Sequence, residues 1–127
     1  MKLRLKNAQQ KSSSYYCGYV DLNALAEQLK DYPFEEETLE KARIHKRNME
    51  GGISPFTVTL RLEPECRRWE EEGDLILESL DSQVWDGKSR AAAVCMLEGP
   101  LPKDAVAMVK VFLATEEKMK KLEQNLL

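Results

Sequence analysis

The sequence predicts an α+β fold in which a small antiparallel sheet of three to five strands packs against two early helices and a long C-terminal amphipathic helix. Residues 57–63 alternate strictly between apolar and polar side chains, which is typical of a strand with one buried face. The apolar residues of segment 22–29 lie on one face of a helix. From Asp104 onward apolar residues recur at spacings of three and four, which predicts a single amphipathic helix to the end of the chain. Residues 105–113 alone would also fit a strand.

The length of 127 residues predicts a single domain covering residues 1–127. The composition, 43% hydrophobic and 32% charged, is that of an ordinary globular chain. We expect a cytoplasmic protein without a membrane segment, because no apolar run approaches the roughly 20 residues of a membrane span. The three cysteines are widely spaced and fit neither a disulfide framework nor a zinc site.

The first part of the chain predicts two short strands followed by two helices. Residues 1–6 alternate in polarity and residues 15–20 are aromatic and β-branched, so the two could pair as a hairpin. Asp21 is a suitable N-cap for the first helix, which ends before Pro33. The second helix, residues 35–50, has its acids early and its bases late, as the helix dipole favours.

Residues 73–99 allow two interpretations. Asp86-Gly87 lies between apolar runs and favours a β-hairpin with a type I′ turn, which would give the strand at 57–63 its partners. The alternative is a short helix over residues 90–98, with Ser89 as N-cap and Gly99 after its end. We favour the hairpin. Under either interpretation the small residues 91–93 allow the close approach of another element, for which we expect the terminal helix.

Residues 64–72 are expected to form a helical turn. The region around them is strongly acidic. Residues 63–86 carry nine acids and two arginines, whereas residues 1–20 carry four bases and no acid. Such asymmetry either steers association with another molecule or brings the two segments together within the fold.

The sequence supports no assigned reaction, cofactor or metal. The single histidine, His45, is expected to have a structural role at the edge of the buried face of a helix. The consecutive acids at 70–72, with Asp74, could in principle bind magnesium, but such runs are usually solvated. An enzyme using an unrecognised carboxylate site or Cys17 is kept as an alternative.

The leading hypothesis is a small, non-enzymatic binding or regulatory protein that acts through protein–protein contacts and self-associates, for example as a homodimer. The terminal apolar stripe can dock in a partner's groove, and an aromatic side chain beside the predicted turn is a common interface anchor. The candidate partner-binding residues are Trp85, Met119, Leu122 and Leu126.

The alternative hypothesis is a nucleic-acid-associated protein. It would use the basic N-terminal segment and the basic residues of the second helix, since phosphate contacts need several cations on one face. An isoelectric point near 5.3 and acids that could pair on the same helix weigh against it. The candidate residues are Lys41, Arg43, Lys46 and Arg47.

Overall fold

The structure, a computed structural model, describes residues 1–125 and contains seven strands and four helices over that range. In chain order these are β1 (Lys2–Ser12), β2 (Tyr15–Asp21), α1 (Leu22–Leu29), α2 (Glu36–Glu50), β3 (Thr57–Leu62), β4 (Arg67–Glu71), β5 (Asp74–Glu78), β6 (Ser82–Asp86), α3 (Lys88–Met96), β7 (Val106–Leu113) and α4 (Glu116–Asn125).

The strands form one mixed sheet in the order β4-β5-β1-β2-β7-β3-β6. All neighbours are antiparallel except β3 and β7, which run parallel. The α+β class is therefore confirmed, whereas the prediction of a small antiparallel sheet of three to five strands is wrong. Two of the strands were not predicted: β4 has no regular apolar alternation from which it could be identified, and β7 was predicted as part of a helix.

The sheet curls so that the end of β5 comes close to the start of β6. The strands β5 and β6 are separated by four other strands in the sheet order, yet residues 79–81 alone connect them. A flat sheet would hold these strands about 24 Å apart, whereas a three-residue link reaches about 14 Å at most. The bend is concentrated in β1, where Asn7 has a φ of 52° and the register shifts between Lys6 and Gln9.

The short link between β5 and β6 is held by Glu63. Its carboxylate accepts hydrogen bonds from the backbone amides of Leu80, at 2.9 Å, and Asp81, at 3.1 Å, and from the Ser79 hydroxyl. Ser79 also exchanges two backbone hydrogen bonds with Met1. These contacts join the first residue of the chain to the link between β5 and β6.

The inner face of the sheet packs against α1 and α3. Buried side chains of the strands alternate with exposed ones, and those of α1 and α3 join them in one core. The helices at 22–29 and 35–50 and the pairing of the two N-terminal strands are confirmed. Asp21 is the N-cap, accepting from the amide of Asn23 at 2.7 Å.

Helix α2 lies outside α3 and contacts it through alanines. Ala42 of α2 meets Ala92 and Ala93 of α3, all at most 1% exposed. The prediction that the terminal helix packs against these small residues is therefore wrong. Small side chains permit close approach, but they do not specify which helix approaches.

The predicted hairpin at 73–99 is also wrong. Asp86 ends β6, and Gly87, with a φ of 76°, is the N-cap of α3. A side chain at Gly87 would place its Cβ 2.6 Å from the Thr57 carbonyl oxygen, so the glycine serves a close backbone approach rather than a hairpin turn. The helical alternative is nearer to the structure, although the helix begins at Lys88.

The single terminal helix predicted from residue 104 is instead a strand and a shorter helix. Alternate residues of β7 are buried, and α4 begins only at Glu116. Residues 67–71, predicted as part of a helical turn, form the edge strand β4. Strand β7 pairs with the distant strands β2 and β3, which a local pattern cannot reveal, whereas β4 pairs with its neighbour β5 across Glu72 and Gly73.

Within residues 1–125, none of the helices has both the length and the apolar character that crossing a membrane would require.

Candidate functional site

The outer face of the sheet, opposite α1 and α3, carries an aromatic pair. Tyr15 of β2 and Phe112 of β7 are directly opposed in the sheet. Their rings stack with centroids 4.4 Å apart and planes within 4° of parallel. A stacked pair of this kind provides a rigid apolar floor.

Helix α4 lies across this face and forms one wall of a groove. Its first turn is capped by Thr115, whose hydroxyl accepts from the amide of Lys118 at 3.2 Å. Met119 packs inward and is 4% exposed, whereas Leu122 is 37% exposed. The volume of the groove is about 680 Å³. The residues that line it are Tyr15, Thr59, Trp85, Asp86, Lys110, Phe112, Met119, Leu122 and Glu123.

A β-bulge places Trp85 in the groove. Leu60 pairs with Val84 and Thr59 pairs with Asp86, so Trp85 is the extra residue on β6. Bulges re-aim a side chain at the edge of a sheet. Val84 remains in the core while Trp85 lies on the outer side, half-buried.

Trp85 also lines a second, polar depression, which we call the acidic pocket. This pocket has a volume of about 370 Å³ and lies next to the groove, with Trp85 and Glu123 common to both. Its remaining lining residues are Tyr32, Glu35, Gln83, Val84, Lys88 and Glu116. Three carboxylates therefore face one lysine on the side of Trp85 away from the groove.

The apolar surface continues beyond the groove along β2 and β7. Tyr19, Val106 and Met108 are 37–40% exposed on the outer face. Tyr19 and Met108 are directly opposed in the sheet. Exposed apolar side chains on the same face as a concave groove are typical of interaction sites, which makes this face a candidate.

Tyr15 stays neutral over the physiological range. Its hydroxyl accepts a hydrogen bond from the Cys17 thiol at 3.2 Å, and this contact, together with partial burial, raises the pKa of Tyr15 to about 12. The groove floor therefore carries no phenolate, and Cys17 is engaged with Tyr15.

Three of the four predicted partner-binding residues come together. Trp85, Met119 and Leu122 all line the groove, and Leu126 lies outside the described residues. Sequence reasoning missed Tyr15 and Phe112. Both are large aromatics in segments with strand character, but no local signal shows that these two segments are adjacent.

The four residues of the nucleic-acid alternative lie on α2, which packs on the opposite side of the molecule from α4. Three of them have acidic partners on the same helix: Lys41 with Glu37 at 3.9 Å, Arg43 with Glu36 at 3.5 Å and Lys46 with Glu50 at 3.5 Å. Arg47 is exposed in the last turn. This arrangement leaves little uncompensated positive charge on α2.

The acids considered for metal binding are arranged differently from a metal site. Glu71 and Asp74 both pair with Arg4, at 2.7 Å and 2.9 Å. Among residues 1–125, no three histidine, cysteine or acidic side chains are grouped so as to hold a metal ion. The acidic region and the basic N-terminal strand thus meet within the fold.

A larger depression, of about 880 Å³, lies at the C-terminal end of α2. Its lining consists of that helix end and the loops at 51–53 and 97–105, without an aromatic side chain. The groove beside α4 is the stronger candidate because aromatic anchors dominate binding energy.

Comparisons with known protein families, with curated proteins and with solved structures find no match to this chain.

Proposed function

We propose that this protein is a binding protein that receives a segment of a partner protein in the groove between α4 and the outer face of the sheet. The observation that supports the proposal is the convergence of Tyr15, Trp85, Phe112, Met119 and Leu122 from four separate elements. Tryptophan and tyrosine are the side chains most enriched at the energetic centres of protein interfaces.

The shape of the site favours a segment over a flat surface. A groove bounded by a helix and a sheet admits a single helix or extended peptide, whose apolar side chains enter the concavity. The groove volume of about 680 Å³ is within the range of sites that enclose most of a small ligand. A second copy of this chain would need a protruding segment that fits the same concavity.

The test is a selection of random displayed peptides against the purified full-length chain. We expect peptides rich in aromatic and branched apolar residues to be enriched. Their binding should be lost in Leu122→Glu, because the substitution places a charge in the apolar wall of the groove. Leu122 is 37% exposed, so this variant should remain folded.

The matched control is Ile44→Glu. Ile44 is 60% exposed on α2, and the substitution makes the same change in charge away from the groove. Binding that is retained in Ile44→Glu and lost in Leu122→Glu supports the proposal. Enriched peptides that bind both variants equally, or no enrichment at all, would contradict it.

The self-association predicted from the sequence stays a prediction, as do the regulatory role and the cytoplasmic location. Sedimentation velocity over a wide concentration range separates a second copy from a partner segment. A dimer that dissociates in Leu122→Glu and persists in Ile44→Glu would make a second copy the occupant of the groove and overturn the proposal.

A further inference from the structure

Resting on the function proposed above, we infer that the partner segment carries a lysine or arginine next to its apolar anchors, and that this cation enters the acidic pocket. The inference names the chemistry of the partner: an apolar segment with an adjacent base, rather than a neutral or acidic one.

The two depressions adjoin each other. Trp85 and Glu123 line both the groove and the acidic pocket. A side chain of the partner that packs against Trp85 therefore has the acidic pocket immediately beside it. The next residue of the partner is then placed beside the carboxylates of the acidic pocket.

The charges of the pocket are unbalanced. Glu35, Glu116 and Glu123 face a single base, Lys88. Glu116 has two distant partners, Gln83 at 3.5 Å and Lys120 at 4.0 Å. In the part of the chain that the structure describes, the carboxylates of Glu35 and Glu123 make no hydrogen bond or ion pair.

The groove itself does not offset this charge. Asp86 and the shared Glu123 line it with one base, Lys110. The surplus of negative charge is thus larger in the acidic pocket than in the groove, which gives the site a polarity along its length. A bound cation would lie among carboxylates that are otherwise solvated, and such partly exposed pairs alter affinity modestly.

The test uses synthetic copies of one peptide selected as above, which differ at a single position carrying Lys, Gln or Glu. Binding is followed by the fluorescence of Trp85 in a Trp69→Phe background, because these are the two tryptophans of the chain. At low salt we expect the Lys peptide to bind about fivefold more tightly than the Gln peptide, and the Glu peptide to bind more weakly still. Added salt should reduce the difference.

Charge-neutralising variants locate the effect. In the double variant Glu35→Gln, Glu123→Gln, the preference for Lys over Gln should fall to less than twofold. Glu40→Gln is the control, since Glu40 is exposed on α2 and its substitution changes charge away from the pocket. It should leave the preference intact.

The outcomes separate the two proposals. Three peptides of equal affinity, all lost in Leu122→Glu, overturn the inference about the cation and leave the proposed function standing. A Glu peptide that binds best also overturns it. Peptides whose binding does not depend on Leu122 overturn the proposed function, and the inference with it.

Discussion

Glu63 shows how one side chain can hold a sheet in a curled shape. Burial by itself would raise the pKa of this carboxyl, but hydrogen bonds from the Ser79 hydroxyl and from the amides of Leu80 and Asp81 outweigh it and lower the pKa to about 2. The charged form is thus stabilised in the fold. It holds the three residues that link β5 to β6 across the curled sheet.

The stability of the protein should therefore fall in acid. A carboxyl whose pKa is lower in the folded state contributes stability above its unfolded pKa of about 4.5 and loses that contribution as the pH falls toward 2. Because the site is partly exposed, solvent screening limits the contribution to about 1–2 kcal/mol. Urea unfolding at about pH 6 and pH 3 measures it.

The matched variant is Glu63→Gln. It should be less stable than the natural chain at pH 6, and this deficit should shrink at pH 3, where the carboxyl is already protonated in the unfolded chain and unfolding therefore takes up a proton. A deficit that is the same at both pH values would show that the carboxylate charge is not what holds the link.

Trp85 was identified from the sequence for a reason that the structure corrects. The Asp86-Gly87 pair suggested an exposed tryptophan at a hairpin tip, whereas Trp85 is the bulged residue of an edge strand that leads into α3. Its position on the outer face follows from the alternation of the strand, opposite the buried Val84, and the bulge leaves it without a pairing partner on β3.

At the scale of elements, the contact between α2 and α3 depends on small side chains. Ala42, Ala92 and Ala93 are at most 1% exposed, with Phe34, Leu39, Met49 and Met96 packed around them. The three alanines leave no space for a larger residue unless the two helices separate. Helix α2 is otherwise polar and has one buried residue, Ala42, so this contact is its main attachment.

Ala92→Leu should therefore destabilise the protein by about 1–3 kcal/mol through overpacking. Ala24→Leu is the control, because Ala24 is exposed on α1 and the same substitution there should change stability by less than about 0.5 kcal/mol. Urea midpoints followed by circular dichroism compare the two. Equal midpoints would mean that α2 can move away from α3 without cost.

At the scale of the whole molecule, α4 lies outside the main core. Met119 is the residue of α4 that is buried, and the large core is formed without it by the strands, α1 and α3. The contacts that precede α4, from Ala114 to Leu62 and to Arg61, belong to the end of β7. Helix α4, which forms the wall of the groove, is thus attached to a core that the rest of the chain forms without it.

A chain ending at Thr115 should remain folded. Its free energy of unfolding should fall by about 2–3 kcal/mol, because the contact made by Met119 is removed. Its binding of groove-selected peptides should be abolished. Circular dichroism and urea unfolding check the fold.

A chain beginning at Asn7 is the contrasting control. It lacks Leu3 and Leu5, both at most 1% exposed, and the pairing with β5, so it should not fold. If the chain that ends at Thr115 is unfolded, α4 is part of the core.

Elements that are stabilised locally could be predicted from the sequence. Helix α1 has an N-cap and one apolar face, and β3 has strict alternation, so each carries its own signal. The terminal segment is different, because residues 108, 112, 115, 119 and 122 fit a helical repeat although the first two of them lie in a strand. There the pairing of β7 with β2 and β3 outweighs the local pattern.

The sequence by itself therefore determined the α+β class, the first two helices, the paired N-terminal strands and three residues of the groove. The tertiary structure decided that the sheet curls to bring β5 near β6, that α2 meets α3, and that Tyr15 and Phe112 lie beneath α4. The physical reason is distance along the chain. Caps and periodicity act over a few residues, whereas strand order and the groove depend on backbone groups and side chains that are far apart in sequence and find each other only in the folded chain.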